Sequence, residues 1–109
     1  EPSTWEQVKS YTHEKKTEVV AEGKKMIAAT DKKIDALKAD AAKSSGEVKK
    51  AHEQNMKELQ AKRHAAQLEL DKMEKSASHT WSATKEGFHQ AYKDLHQAYD
   101  KAQAGPAKR

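Results

Sequence analysis

The chain has no cysteine, so it carries no disulfide framework and no thiolate chemistry. Its two prolines stand at Pro2 and Pro106, and only four glycines occur, so the long middle of the chain is free of residues that break helices outright. Val and Ile are few and never alternate with polar residues over a strand-length run, which removes the usual strand signal. No apolar run approaches the roughly 18 residues of a membrane span. A glycine-rich phosphate loop, an HExxH pair and a set of carboxylates in an apolar pocket are likewise missing, so no catalytic residue and no cofactor are expected. The chain starts at Glu1-Pro2 without Met, which reads as removal of an export signal or trimming and favours an exported, periplasmic protein over a cytoplasmic one.

What is present is helical. Charged residues make up 35% of the 109 positions and hydrophobic ones 35%, and the mean hydropathy is -1.14. Such a supply suits a single domain with a narrow seam between long helices better than a thick core. From Val48 to Ala102 the large apolar residues recur every eleven positions: Val48, Leu59, Leu70, Trp81 and Tyr92 form one row. Asn55, Ala66, Ala77, Phe88 and Tyr99 form a second, and Ala51, Lys62, Met73, Thr84 and Leu95 a third. Eleven residues make three turns of a nearly relaxed helix, so this repeat keeps one seam on one side.

The same spacing occurs upstream in Val8, Val19, Thr30 and Ala41. A first helix is expected from about residue 4 to residue 43, capped by Ser3 with Glu6, with Trp5, Val8, Thr12, Val19, Gly23, Met26, Ile27, Thr30, Ile34, Leu37 and Ala41 facing inward. Gly23 on that face suggests close approach of the partner backbone. Lys43-Ser44-Ser45-Gly46-Glu47 is the break, with Ser44 and Glu47 at capping-box spacing, and the turn is placed at residues 44–46. A turn this short makes the flanking helices antiparallel neighbours. Glu53 with Lys57, Glu58 with Lys62 and Asp71 with Lys75 set acid before base at i,i+4 on the second helix.

Ser76-Ala77-Ser78-His79-Thr80 is a second candidate break, from which a third helix would fold back as a three-helix bundle. Because the eleven-residue phase passes through it undisturbed, the favoured reading is one helix over residues 47–103, about 55 residues and roughly 80 Å long, followed by a frayed tail at 104–109. The fold expected is therefore an all-α, single-domain antiparallel helical hairpin. With residue i facing roughly residue 90 minus i, Trp5 ends opposite Trp81 to Lys85, and the stripe Phe88, Ala91, Tyr92, Leu95, Ala98 and Tyr99 overhangs. An apolar overhang marks an interaction site, so Trp81, Phe88, Ala91, Tyr92, Leu95, Tyr99 and Trp5 are the candidate interaction residues and a homodimer the expected assembly.

The segment from Trp81 to Ala102 resembles the C-terminal segment of a bacterial family of small helical stress-response proteins, whose pattern is similar to W-x(4)-K/E-G-F-x-x-A-Y/W-x-x-L. Trp81, Gly87, Phe88, Ala91, Tyr92 and Leu95 match it. The resemblance covers about a fifth of the chain, the rest matching by composition. It implies an envelope location and a link to stress, and it carries over no catalytic residue. The six histidines depart from the family pattern.

Those histidines invite a metal reading. His52 with Met56 is the one i,i+4 ligand pair, and His13 comes near His79 across the hairpin; these four are the metal candidates, weighed against histidines that are merely solvated or at the seam edge. The net charge of +4 raises the question of nucleic acid, but the pairs Lys15-Lys16, Lys24-Lys25, Lys32-Lys33 and Lys49-Lys50 rotate around the helix beside acidic neighbours, so no nucleic-acid partner is expected. A lipid surface is the stronger alternative, because lysine-flanked amphipathic repeats with Trp and Tyr suit an interface when their seam is unoccupied. The reading is thus a non-enzymatic structural or interaction protein of bacterial stress physiology, with lipid-surface or metal binding as its rival.

Overall fold

The structure is a computed structural model, and it describes residues 10–104. Three helices follow one another: α1 (Lys16–Ala42), α2 (Gly46–Glu74) and α3 (Trp81–Ala104), with single turns of 3-10 helix at His13–Lys15 and Ser78–Thr80. No strand occurs among the described residues. The fold is all-α, and α1 and α2 form the antiparallel hairpin expected from the Gly46 turn. Gly46 takes a φ of 62°, the left-handed conformation that glycine reaches without cost. The expected capping box is not made. Ser44 instead turns its hydroxyl back to donate to the Ala41 carbonyl at 2.7 Å, and Ser45 is the N-cap residue of α2.

The second helix does not continue to residue 103. It stops at Glu74, and α3 folds back along the hairpin, giving a bundle of 51 × 21 × 19 Å where the unbroken helix alone would span roughly 80 Å. Contacts fix the directions. Lys101 reaches Glu58, so α3 runs antiparallel to α2; Phe88 lies against Gly23 and Tyr92 against Thr30, so it runs parallel to α1.

The energetic reason for the fold-back is burial. Phe88 and Leu95 are fully buried, and Trp81, Tyr92, Ala98 and Ala102 nearly so. At about 1.5–3 kcal/mol for each large side chain, this outweighs the few helical hydrogen bonds lost at the break, each worth about 1 kcal/mol net. Local bonds recover part of that loss: Ser76 Oγ donates to the Met73 carbonyl at 2.8 Å, and Thr80 Oγ1 donates to the Ala77 carbonyl at 3.2 Å. Phase through residues 76–80 was no sign of continuity, since Leu70 before the break and Trp81 after it face the same core.

The start of α1 also differs from the sequence reading. Thr12 is extended at φ −82° and ψ 173°, and the helix begins at Lys16. Trp5, Val8 and the Ser3–Glu6 cap lie outside the described residues. Gly23 is buried, and the close approach there is by side chains: a Cβ would meet Leu70 Cδ1 at 2.8 Å and Phe88 Cζ at 3.3 Å. Of the acids in the expected i,i+4 pairs, Glu58 binds Lys101 across helices at 3.1 Å and Asp71 accepts from Gln67 at 3.1 Å. The strongest link between α1 and α2 is a two-pronged bond, with Arg63 Nε donating to Asp31 Oδ1 at 2.9 Å and Nη2 to Oδ2 at 2.8 Å. That hydrogen-bonded guanidinium holds the Asp31 carboxyl below its ordinary range.

Candidate interaction surface

The aromatic stripe read as an overhang is the third wall of the core. Phe88 and Leu95 are sealed, Tyr92 is nearly so, and Ala91 and Tyr99 are half-buried at the edge of the same cluster. The correction has a simple cause: the stripe finds its apolar partner in the groove between α1 and α2 of its own chain. Trp5 lies outside the described residues.

At one end of the stripe a short strap, residues 11–16, crosses the α2–α3 connection. Trp81 Nε1 donates to the Tyr11 carbonyl at 2.9 Å, and Lys85 Nζ donates to the same oxygen at 2.8 Å while standing 5.5 Å from the Trp81 ring centre. Burial pushes the Lys85 ammonium below its ordinary range. His13 meets the Trp81 ring edge-on at 5.8 Å. Its Nε2 lies 3.0 Å from the Ser76 carbonyl, and since a carbonyl only accepts, that nitrogen carries the proton. Lys16 Nζ donates to the same oxygen at 3.0 Å. His13 is therefore engaged with the chain's own backbone, while His79 is exposed beyond it.

Midway along α3 a polar file crosses the core. Thr30, 1% exposed, donates to the Met26 carbonyl at 3.0 Å. Tyr92 Oη lies 3.4 Å from Thr30 Oγ1 and 2.9 Å from His96 Nε2. A proton placement that satisfies every group runs from His96 Nε2 to Tyr92, from Tyr92 to Thr30 and from Thr30 to the carbonyl. The file ends on backbone at Met26 and ties α3 to α1.

Burial, reinforced by the charge of Lys33 and opposed by Asp100, holds the His96 imidazole below its ordinary range. The unfolded chain takes up this proton near pH 6.5, whereas the folded one takes it up only at lower pH. The stability linked to His96 is therefore full above about pH 6.5 and declines as pH falls through the window beneath it. The melting temperature is expected to drop across that window, and His96→Gln is expected to flatten the drop in a series of thermal melts.

His52 and Met56 share one side of α2, both half-buried, and His52 Nδ1 is buried without a hydrogen-bond partner. Among the described residues no three of His, Cys, Asp and Glu converge as a metal-binding group.

Sequence reasoning missed one feature. A groove of about 600 Å³ runs between the last turns of α1 and the first half of α2, with Ala41, Ala42 and Met56 as its apolar part and Lys38, Lys49, Lys57, Glu53 and Gln60 around it. None of these residues belongs to α3, and Val48, on the same stretch of α2, is 36% exposed. The available signal was the run of small residues Ala39, Ala41 and Ala42, which leaves a shallow seam wherever no third helix fills it.

Among the described residues no helix is long and apolar enough to cross a membrane. No family model, no curated protein and no solved structure matches this chain.

Proposed function

We propose that this chain is a non-enzymatic structural or interaction protein of bacterial stress physiology, and that it associates with itself. The observation that supports this reading most is where the reactive side chains are spent. Tyr92, His96 and Thr30 bond one another across the bundle, and Trp81, Lys85, His13 and Lys16 bond the carbonyls of Tyr11 and Ser76. All of them act as ties between helices. The resemblance of residues 81–102 supports the stress link and an exported, periplasmic setting. Self-association through a free aromatic overhang is set aside, because that stripe is buried within the chain.

The lipid reading keeps one specific support, the groove in which apolar Ala41, Ala42 and Met56 lie among Lys38, Lys49 and Lys57, a pairing suited to an anionic interface. Amide hydrogen exchange separates the two. A structural role predicts strong protection of amides 88–99 in the protein alone, unchanged by vesicles of anionic phospholipid. Exchange at amides 38–60, around the groove, that slows only when vesicles are added would move the assignment to a lipid-surface protein.

A further inference from the structure

The connection between α2 and α3 differs in kind from the one between α1 and α2. The first turn is built on Gly46 at positive φ, outside the right-handed helical region. The second, Lys75-Ser-Ala-Ser-His-Thr80, contains neither glycine nor proline, and no non-glycine residue in the described chain has positive φ. Its departure from the helix is carried at Ala77, extended at φ −89° and ψ 170°. The eleven-residue rows run through it in phase, from Leu70 to Trp81 and from Met73 to Thr84. A chain that rewound residues 75–80 into helix would thus present the core faces of α2 and α3 as one continuous stripe.

We propose that residues 75–80 are a hinge and that two copies of this chain exchange α3, each α3 filling the α1–α2 groove of the other. This rests on the self-association proposed above and supplies its geometry. The exchanged dimer repeats every α3 contact of the monomer between chains, so it sacrifices no core, and it adds helix where the closed form has a turn. Opened, residues 46–104 make a helix of about 88 Å, long enough to carry α3 clear of its own α1.

The strap opposes opening. The Ser76 carbonyl, which an unbroken helix would engage with the Thr80 amide, is occupied by His13 Nε2 and Lys16 Nζ, both at 3.0 Å. Trp81 and Lys85 are held to the Tyr11 carbonyl on the other side of the hinge. Closed monomer and exchanged dimer therefore differ in a handful of hydrogen bonds around residues 75–85, while the core is common to both. A balance of that kind responds to protein concentration and to refolding conditions.

Two changes push the hinge in opposite directions. Ser78→Pro follows an extended Ala77, the conformation a residue before proline prefers, and forbids a helix through the site. The triple change Ser76→Ala, Ser78→Ala and Thr80→Ala removes the local hydroxyl bonds and raises helix propensity. Full-length chains are refolded from urea at high concentration, and mass is read by light scattering after gel filtration. The parent is expected to give monomer and dimer, the triple variant at least a threefold larger dimer fraction, and Ser78→Pro monomer only with an undiminished melting temperature.

Because the chain has no cysteine, exchange is also read directly. Chains carrying Glu58→Cys are refolded together with chains carrying Lys101→Cys, at positions whose side-chain tips, Glu58 Oε1 and Lys101 Nζ, meet across α2 and α3 at 3.1 Å, and the thiols are bridged with a short bismaleimide. A mixed cross-linked dimer is expected in the parent background and not with Ser78→Pro. Dimer that persists equally with Ser78→Pro and carries no mixed cross-link in either background would overturn the exchange while leaving self-association by another surface. Monomer in all three chains at millimolar concentration would overturn both.

Discussion

Phe88→Ala is expected to lower the unfolding free energy by about 3–5 kcal/mol, the range for truncating a large buried aromatic, and so to consume most of the stability of a domain this size. Three features put it at the upper end. The ring is fully buried, it is among the largest side chains in the core, and its tip faces Gly23, where no side chain can settle into the vacated space. The measurement is urea unfolding followed by far-UV circular dichroism, with the midpoint displaced and the slope kept. A shift below about 1 kcal/mol would mean that α3 does not occupy the groove. Coupling gives a finer check. Gly23→Ala alone brings a Cβ against Leu70 Cδ1 and Phe88 Cζ, offsetting its gain of about 1 kcal/mol in helix propensity. In a Phe88→Leu background the ring contact is gone, so Gly23→Ala is expected to be more favourable there, with a non-additive difference of about 0.5 kcal/mol or more.

How much of this was legible in the sequence depends on the range of the signal. The hairpin turn was readable because Gly46 is a local requirement, and the inward face of α1 from Val19 to Ala41 was readable because helical periodicity reports burial whatever lies opposite. The opposing register was met only coarsely: His13 lies against Ser76, but Asp31 meets Arg63 and Lys24 meets Glu74, about one to two turns from the residues that 90 minus i gives. What periodicity does not encode is the number of helices sharing a seam. Leu70 and Trp81 stand one repeat apart whether the helix between them is straight or folded at Ala77, so unbroken phase does not distinguish the two. The Ser and Thr residues at 76–80 were the better witness, since their hydroxyls bond local carbonyls. Of the candidate interaction residues, Trp81, Phe88, Tyr92 and Leu95 lie in the core cluster with Ala91 and Tyr99 packed against it, and Trp5 lies outside the described residues. Their role was inverted because an apolar stripe says only that something covers it, and a third helix of the same chain does. The groove at Ala41, Ala42 and Met56 escaped notice for the complementary reason: it is defined by where α3 is not.

Removing the chain after Thr84 is expected to abolish cooperative folding. The hairpin reading of the sequence predicts the opposite, a stable two-helix monomer that has merely lost its dimer contact, so this truncation separates the two architectures. Lost with the segment are Phe88, Tyr92, Leu95, Ala98 and Ala102, all buried against α1 and α2. The three large side chains alone contribute roughly 5–9 kcal/mol of burial, comparable with the whole stability of about 5–15 kcal/mol. What remains is a strip one residue deep between two helices, with Met26, Thr30, Leu59 and Leu70 opened to water along one side. Isolated helices of this length and composition are marginal, because most helical stability in a protein comes from packing of the apolar face. The truncated chain is therefore expected to show reduced helicity, a broad thermal transition without a baseline and binding of a hydrophobic dye, the signs of a core without fixed packing. Supplying residues 85–104 as a separate peptide should restore a sharp transition at one peptide per chain, although the peptide alone, with no partner for its apolar face, is expected to be only marginally helical in water. A sharp transition in the truncated chain without added peptide would show that α1 and α2 suffice and that α3 is an accessory to the fold.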